Sequence, residues 1–221
     1  MLINPAQQKG LTLVEMMIAM VLGLFVTAVI ISVFSTNVRT NVENMKMIRL
    51  NQELRGAMTF MVDELKRTGY SADSTEISFM ASFERPNSSC ILYSYDLNGN
   101  GDRDSNEHFG FRLDTTAKQI KWASNASAAS STTCNSFGES ITDVNMAEIT
   151  TLEFDFSGSG NKLGSTINTG IVALTTSTGV SLYDVTITLT GKTDLPHSSD
   201  ANDPRRTLIE TIRIRNDDPK D

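Results

Sequence analysis

The chain has 221 residues, enough for one sizeable hydrophobic core. Its 26 Asp and Glu residues outnumber its 19 Lys and Arg residues, which gives a formal net charge of −7 at pH 7. Such an acidic chain lacks the basic surface that binds phosphate backbones, so the composition argues against a nucleic-acid partner.

The apolar residues are concentrated near the amino terminus. From Leu11 to Phe34 the only charged residue is Glu15. About 24 residues, rising 1.5 Å each in a helix, are long enough to cross the hydrocarbon core of a membrane. We therefore predict a membrane-spanning or filament-core helix over residues 11–36, preceded by a short polar leader at residues 1–10.

The order of these two segments excludes an ordinary secretory signal. Secretory peptides are cut after their apolar region, at small residues, whereas the small residue Gly10 comes before the apolar region of this chain. Cleavage after Gly10 would leave the apolar helix in the mature protein and would free a positively charged amine at Leu11.

Glu15 is not explained by a simple membrane anchor. A carboxylate inside the apolar core of a membrane is costly and needs a partner, so it is a functional candidate. The amine freed at Leu11, in the same or a neighbouring chain, would be that partner and would fix the axial register of subunits. The alternative is that Glu15 lies at the headgroup level of a plain signal anchor.

Lys9-Gly10 followed by Leu11-Thr12-Leu13-Val14-Glu15 resembles the class III signal of type IV pilins and type II secretion pseudopilins. The resemblance implies that a prepilin peptidase cuts between Gly10 and Leu11 and methylates the new amine at Leu11. It also implies that Glu15, the fifth mature residue, serves in assembly. Leu11 departs from the Phe that members of the family usually carry at this position.

After Ser35 the chain becomes amphipathic. Apolar residues recur at spacings of three and four, which predicts that the helix continues through the segment 37–69. We expect its last helical residue near Thr68, because Gly69 is a stop signal. The charged residues, Glu64 among them, mostly fill the other faces. A coiled coil is the alternative for this stripe, whose members are Val38, Val42, Met45, Met47, Leu50, Leu54, Met58, Met61 and Leu65.

Residues 70–221 change to short alternating runs separated by Gly, Asn, Ser and Asp, the pattern of antiparallel strands. A helical stripe followed by strands predicts an α+β lollipop, with a β-rich domain laid on the carboxyl-terminal half of the helix. The predicted strands are Ile91–Tyr95, Phe109–Leu113, Thr151–Phe156, Ile171–Leu174, Tyr183–Leu189 and Leu208–Arg215.

The two cysteines, Cys90 and Cys134, lie far apart and form no Cys-x-x-Cys pair of the kind found in zinc or redox centres. A single disulfide in an oxidising compartment fits them best, and two buried thiols are the alternative.

The segment Asp96–Glu107 fits a twelve-residue calcium loop, with oxygen ligands at positions one, three and five, Gly at six and Glu at twelve. The flanks read as strands and position eight is Arg103, so we predict an EF-hand-like loop within a β-connection, with a structural role. The alternative is a solvated acidic turn without an ion. The predicted calcium ligands are Asp96, Asn98, Asn100, Asp102, Asp104 and Glu107.

Nothing in the sequence predicts an enzyme. The only histidines, His108 and His197, are far apart and lack metal-ligand neighbours, which argues against zinc or Ser-His-Asp chemistry.

The segments Gly10–Leu24 and Cys90–Gly101 resemble minor pilins of the PilW type. That resemblance implies an inner-membrane protein with a periplasmic domain that later enters the extracellular pilus, primes its assembly and lies at its tip. The implied partners are other minor pilins, the major pilin, the prepilin peptidase, the inner-membrane assembly platform and a tip adhesin. The alternatives are a J-type pseudopilin of type II secretion and a membrane-anchored periplasmic calcium-binding module that does not polymerise.

Overall fold

The structure, a computed structural model, describes residues 10–73, 79, 84–124, 134, 138–158, 160–161, 181–195 and 203–214. The chain divides into two compact units, Met1–Met45 and Lys46–Asp221. The leader up to Lys9, the predicted strand Ile171–Leu174 and His197 lie outside the described residues.

One long helix, α1 (Leu13–Leu65), accounts for the apolar segment and the amphipathic segment. It ends three residues before the predicted end at Thr68. Residues 66–69 form a turn in which Gly69 has a φ of 78°, a left-handed conformation that glycine adopts without strain. The Gly69 amide then donates to the Ser94 carbonyl at 2.8 Å, so the turn leads the chain from the helix to the sheet.

The apolar stripe of α1 is buried only from Leu50 onward. Val38, Val42 and Met45, which the sequence pattern assigned to the same stripe, are exposed. The helical period identifies one face of a helix, but it does not say where along that face a partner begins. Glu64 is another difference from the sequence prediction, because it is buried and not on a solvated face.

Nine antiparallel strands in the described residues form two sheets. The first sheet has the order β1-β2-β3-β4-β5. In the second sheet β8 pairs with β6, β7 and β9, and the same β8 residues pair with both β6 and β9, so these two strands flank it. The strands are β1 (Glu84–Asn87), β2 (Cys90–Ser94), β3 (His108–Asp114), β4 (Gln119–Ala123), β5 (Glu139–Ser140), β6 (Glu148–Asp155), β7 (Gly160–Asn161), β8 (Ser181–Lys192) and β9 (Arg205–Ile214).

The core of the second unit lies between the carboxyl-terminal part of α1 and both sheets. The helix lies close to the sheet at Gly191 of β8, where an added Cβ would lie 2.9 Å from Cδ2 of Leu54 and 3.3 Å from Cδ1 of Leu50. The bare backbone at Gly191 therefore lets the helix lie directly on the strand. The predicted α+β class, a long amino-terminal helix packed on antiparallel sheets, is confirmed.

Polar contacts join the two sheets at their edges. The Phe154 amide donates to the Ser88 carbonyl at 2.8 Å, and the Ile149 amide donates to the Lys118 carbonyl at 2.9 Å. Beside the second bond, Glu148 accepts a hydrogen bond from Lys118 Nζ at 2.7 Å and lies 3.3 Å from the buried Lys192 Nζ. The hydrogen bond from Lys118, followed by that from Lys192, lowers the pKa of the Glu148 carboxyl below its ordinary value.

We expect Glu148→Gln to weaken the fold by about 1 kcal/mol at pH 7, because two cations lose their carboxylate. A depressed pKa in the folded state means that this stabilisation is full above the ordinary value of 4.5 and is lost as pH falls through the folded pKa. Urea unfolding of the full chain in detergent, followed by fluorescence of Trp122, measures the difference at each pH.

The matched control is Glu153→Gln, an exposed acid on the same strand. We expect it to leave the unfolding free energy within about 0.5 kcal/mol of the wild type. An effect of Glu148→Gln that stays constant from pH 7 to pH 3 would contradict the ionic origin of the contact.

Candidate functional site

The predicted cleavage site precedes the first helical turn. Gly10 and Leu11 are both exposed, and Leu11 is 75% exposed. Among the described residues, nothing lies within 4 Å of a Cβ added at Gly10, so no described part of the chain covers this position.

Thr12 and Glu15 form a reciprocal cap at the start of α1. The Thr12 amide and its Oγ1 donate to Oε2 of Glu15 at 2.9 and 3.0 Å, and the Glu15 amide donates to Oγ1 of Thr12 at 3.2 Å. This arrangement satisfies backbone N–H groups that the first turn of a helix leaves without intrahelical partners. The pattern Thr-x-x-Glu is the sequence signal for such a cap, and the cap was not predicted from the sequence.

The cap orients the carboxylate that was singled out for assembly. Both hydrogen bonds from Thr12 go to Oε2, and in the described part of the chain no hydrogen bond reaches Oε1. Glu15 is therefore held at the first turn of the helix, three residues after Thr12, and keeps one oxygen for a second partner.

The side chains of the apolar segment are exposed along the first unit. α1 is the one helix, among the described residues, that is long and apolar enough to cross a membrane. Exposed apolar surface of this extent is unfavourable in water, so this segment requires lipid or the apolar surface of other subunits.

We expect Thr12→Ala to loosen the first turn of α1, since the cap loses its hydroxyl. Hydrogen exchange at the Glu15 amide, measured by NMR on the full chain in micelles, should become roughly fivefold faster. Thr12→Ser keeps the hydroxyl and should leave the exchange rate unchanged. Equal rates in the Ala and Ser variants would show that the cap does not form in the membrane-like environment.

The acidic loop Asp96–Glu107 is closed by its two buried carboxylates. Oε1 of Glu107 accepts the amides of Leu97 and Asn98 at 2.8 and 3.3 Å, and its Oε2 accepts the Asp104 amide at 2.9 Å. Asp96 accepts the amides of Gly99 and Gly101 at 2.6 and 3.0 Å. Both carboxylates accept backbone N–H groups of the loop itself, so the loop is held together from within.

The other predicted calcium ligands lie on the exposed side of the loop. Nδ2 of Asn98 and Nδ2 of Asn100 donate to Oδ2 of Asp104 at 3.0 and 3.1 Å, so three of the side chains converge. Asp102 is exposed, and its amide donates to Oδ1 of Asn100 at 2.9 Å. Within the described residues, no three His, Cys, Asp or Glu side chains are grouped closely enough to hold a metal ion.

The loop also binds the segment that follows α1. The Asp96 amide donates to the Tyr70 carbonyl at 2.8 Å, and Oδ2 of Asp96 accepts the Ala72 amide at 3.0 Å. The Ala72 hydrogen bond is the largest cause that lowers the pKa of the Asp96 carboxyl. Gly101 approaches the same segment, because an added Cβ there would lie 2.8 Å from Cβ of Asp73. This loop therefore fixes the position of the chain beyond the helix.

Cys90 and Cys134 are joined by a disulfide with a sequence separation of 44 residues. Closing a loop of this length stabilises the folded state by about 4 kcal/mol on the chain-entropy account. Both cysteines are buried against Leu92, and no described cysteine is free.

Glu64, in the last turn of α1, is the centre of a buried polar cluster. Its Oε2 accepts the hydroxyls of Tyr95 and Tyr93 at 3.1 and 3.4 Å, and its Oε1 lies 3.2 Å from Arg67. Trp122 donates to the Tyr93 hydroxyl at 3.1 Å and extends the cluster into the first sheet. The cluster fixes the rotation of the helix on the sheet; no signal in the sequence distinguished Glu64 from its solvated neighbours.

His108 is half-buried beside Arg103. Nε of Arg103 donates to Nε2 of His108 at 3.5 Å, a long contact. Burial, followed by the charge of Arg103, lowers the pKa of the His108 imidazole, so the ring is neutral at pH 7. Within the described residues, His108 is not part of a group of three His, Cys, Asp or Glu side chains that could hold a metal ion.

Comparison with protein families decides the class of the chain. The family described as prepilin peptidase-dependent protein B matches residues 43–214, more than half of the chain, and the prokaryotic N-terminal methylation motif matches residues 5–31. The chain belongs to the prepilin peptidase-dependent protein B family. Comparisons with curated proteins and with solved structures found no match.

Membership of this family confirms the predicted pilin-like character. The chain is a pilin-type structural subunit that depends on a prepilin peptidase, and its amino-terminal helix fits membrane anchoring and incorporation into a pilus. The methylation motif includes Gly10, Leu11 and Glu15, the three residues that the sequence assigned to cleavage, modification and assembly.

Proposed function

We propose that this chain is a PilW-type minor pilin, a non-enzymatic subunit that helps to prime type IV pilus assembly and lies in the tip complex. The observation that carries the proposal is the Glu15 carboxylate, held by Thr12 at the first turn of an exposed apolar helix directly after a prepilin signal. A plain membrane anchor has no use for an acid at this position.

The mechanism follows from the cap. Cleavage between Gly10 and Leu11 frees an amine, and methylation of Leu11 leaves that amine positively charged. The Oε1 oxygen of Glu15 receives the amine of a neighbouring subunit while Oε2 stays with Thr12. In a low-dielectric filament core such a pair specifies axial position more than it adds stability, because both charges lose water.

The proposal also gives the location of the chain before and after assembly. Before assembly the chain spans the bacterial inner membrane once, with residues 46–221 in the periplasm, where the disulfide between Cys90 and Cys134 can form. Its partners are the prepilin peptidase, the assembly platform, other minor pilins, the major pilin and a tip adhesin. After assembly it lies in the extracellular pilus.

Two substitutions separate the charge of Glu15 from its role in capping. Glu15→Gln removes the charge but keeps a capping oxygen, whereas Thr12→Ala removes the cap and keeps the charge. We expect Glu15→Gln to reduce incorporation into sheared pili at least about tenfold, since an unpaired buried amine is costly, and Thr12→Ala to reduce it far less. Immunoblots of the sheared and membrane fractions measure both.

The leader provides an independent readout. Mass spectrometry of the membrane-extracted chain should show an amino terminus at Leu11 that carries one methyl group. Retention of residues 1–10 in functional pili, or normal incorporation of Glu15→Gln, would contradict the minor-pilin proposal. Loss of protein secretion with unaffected pili on deletion of the chain would assign it to a J-type pseudopilin instead.

We also propose that the loop Asp96–Glu107 binds calcium with a structural role. The support is the twelve-residue spacing and the convergence of Asn98 and Asn100 on Asp104. The Oδ1 oxygens of Asn98 and Asn100 accept the amides of Asn100 and Asp102 at 2.9 Å each, and a second lone pair of each oxygen remains for a cation that displaces the NH2 groups from Asp104. Glu107 would close the loop behind the ion.

Titration of the full chain in detergent with calcium chloride tests the site. A dissociation constant in the range of extracellular modules would raise the melting temperature by roughly 3–10 °C at millimolar calcium. Asp104→Asn should abolish both the heat and the shift, whereas Glu139→Gln, an exposed acid outside the loop, should abolish neither. Absence of heat and of a melting shift in the wild type would remove the proposal.

A further inference from the structure

The strand β9 (Arg205–Ile214) forms an open edge of the second sheet. It is ten residues long and pairs over its whole length with β8, on the side opposite β6. In the part of the chain that the structure describes, no strand pairs with its other side. A strand of this length at an edge presents a row of backbone N–H and C=O groups that can accept another strand.

The first half of β9 is also only partly covered on its faces. Leu189 and Gly191 of β8 are buried beneath α1, but Arg206, which pairs with Gly191, is exposed and Leu208, which pairs with Leu189, is only half-buried. On the opposite face Ile209 is 67% exposed. The second half of the strand differs, because it contributes Ile212 and Ile214 to the core. Leu208 packs against the core, so the segment 205–211 is open along its edge and on the face that carries Ile209.

This edge has few of the features that block strand addition. Its register with β8 is unbroken, whereas the register of β6 with β8 shifts between Ile149 and Thr151. No proline interrupts residues 205–214. The charges that remain are largely basic, with Arg205 and Arg206 exposed at the start of the strand, in a chain whose net charge is −7.

We propose that the segment 205–211 of β9 binds an extended acidic segment of a neighbouring pilin-like subunit, which adds to the second sheet as a further antiparallel strand. Main-chain hydrogen bonds give such a contact its affinity, and acidic side chains opposite Arg205 and Arg206 give it selectivity. The inference rests on the proposed role as a subunit of a multi-subunit filament.

A second copy of this chain is the poorer occupant. Two copies of the segment 205–211 paired antiparallel about Leu208 would match Arg206 with Glu210 but would place Arg205 opposite Thr211, so only one of the two arginines would face an acid. A parallel pair in register would align each arginine with itself. Like charges directly across a strand pair are destabilising, so charge favours a different, acidic subunit.

Photo-crosslinking in cells that assemble pili tests the proposal. Ile209→p-benzoylphenylalanine places the probe on the exposed strand, and Glu139→p-benzoylphenylalanine, at an exposed position on β5 of the first sheet, is the matched control. We expect illumination to attach the first probe, but not the second, to an acidic extended segment of another protein with a prepilin signal. Tandem mass spectrometry of the adduct identifies that segment.

Charge reversal adds a second readout. Arg205→Glu combined with Arg206→Glu should lower the yield of the Ile209 adduct roughly tenfold, and Lys at both positions should restore it, with melting temperatures unchanged. An adduct within the same chain, with a second copy or with a protein lacking a prepilin signal would overturn the inference, as would equal adduct yields in the Glu and Lys variants. If the wild-type chain enters pili and gives no adduct, the inference fails and the proposed function stands. If the chain never enters pili, both fail.

Discussion

The second unit depends on the cover that α1 gives to its two sheets. Leu50 and Leu54 lie on the bare backbone of Gly191, and further along the same face Leu65 and its neighbours are buried in the common core. The sheets themselves are joined by a few backbone bonds and by the ionic contact of Glu148 with Lys118 and Lys192. Burial of apolar side chains therefore holds the unit together, and the polar contacts set the register in which it closes.

The same helix imposes the opposite requirement on the first unit, where its apolar side chains are exposed and need a non-aqueous environment. At its start, Thr12 solves the problem that the Glu15 carboxylate creates. A charged carboxylate without a partner is costly in an apolar medium. The two hydrogen bonds that Glu15 accepts from Thr12, in the same helical turn, offset part of that cost. The cap lets an apolar helix carry an acid and leaves one oxygen for the intersubunit pair that we propose.

Patterns that repeat along the chain predicted the fold well. The uniform apolar run and the three-and-four spacing gave one helix, found at Leu13–Leu65, and five of the six predicted strands correspond to described strands. What the sequence could not supply was the partner of each face. Three features depend on which elements meet in three dimensions. They are the exposure of Val38, the burial of Glu64 against Tyr93 and Tyr95, and the open edge of β9 among the described strands. The cap of Thr12 is different, because its Thr-x-x-Glu signal was legible in the sequence.

The disulfide has a consequence for resistance to proteolysis. The bond from Cys90 to Cys134 encloses β3, β4 and the whole acidic loop in one covalent ring. A protease that cuts a single peptide bond anywhere inside this ring opens it without separating the chain into two molecules. After such a cut, the disulfide still links the part of the chain that contains α1 to the part that contains β5 to β9. Both parts therefore stay together and can re-form the fold.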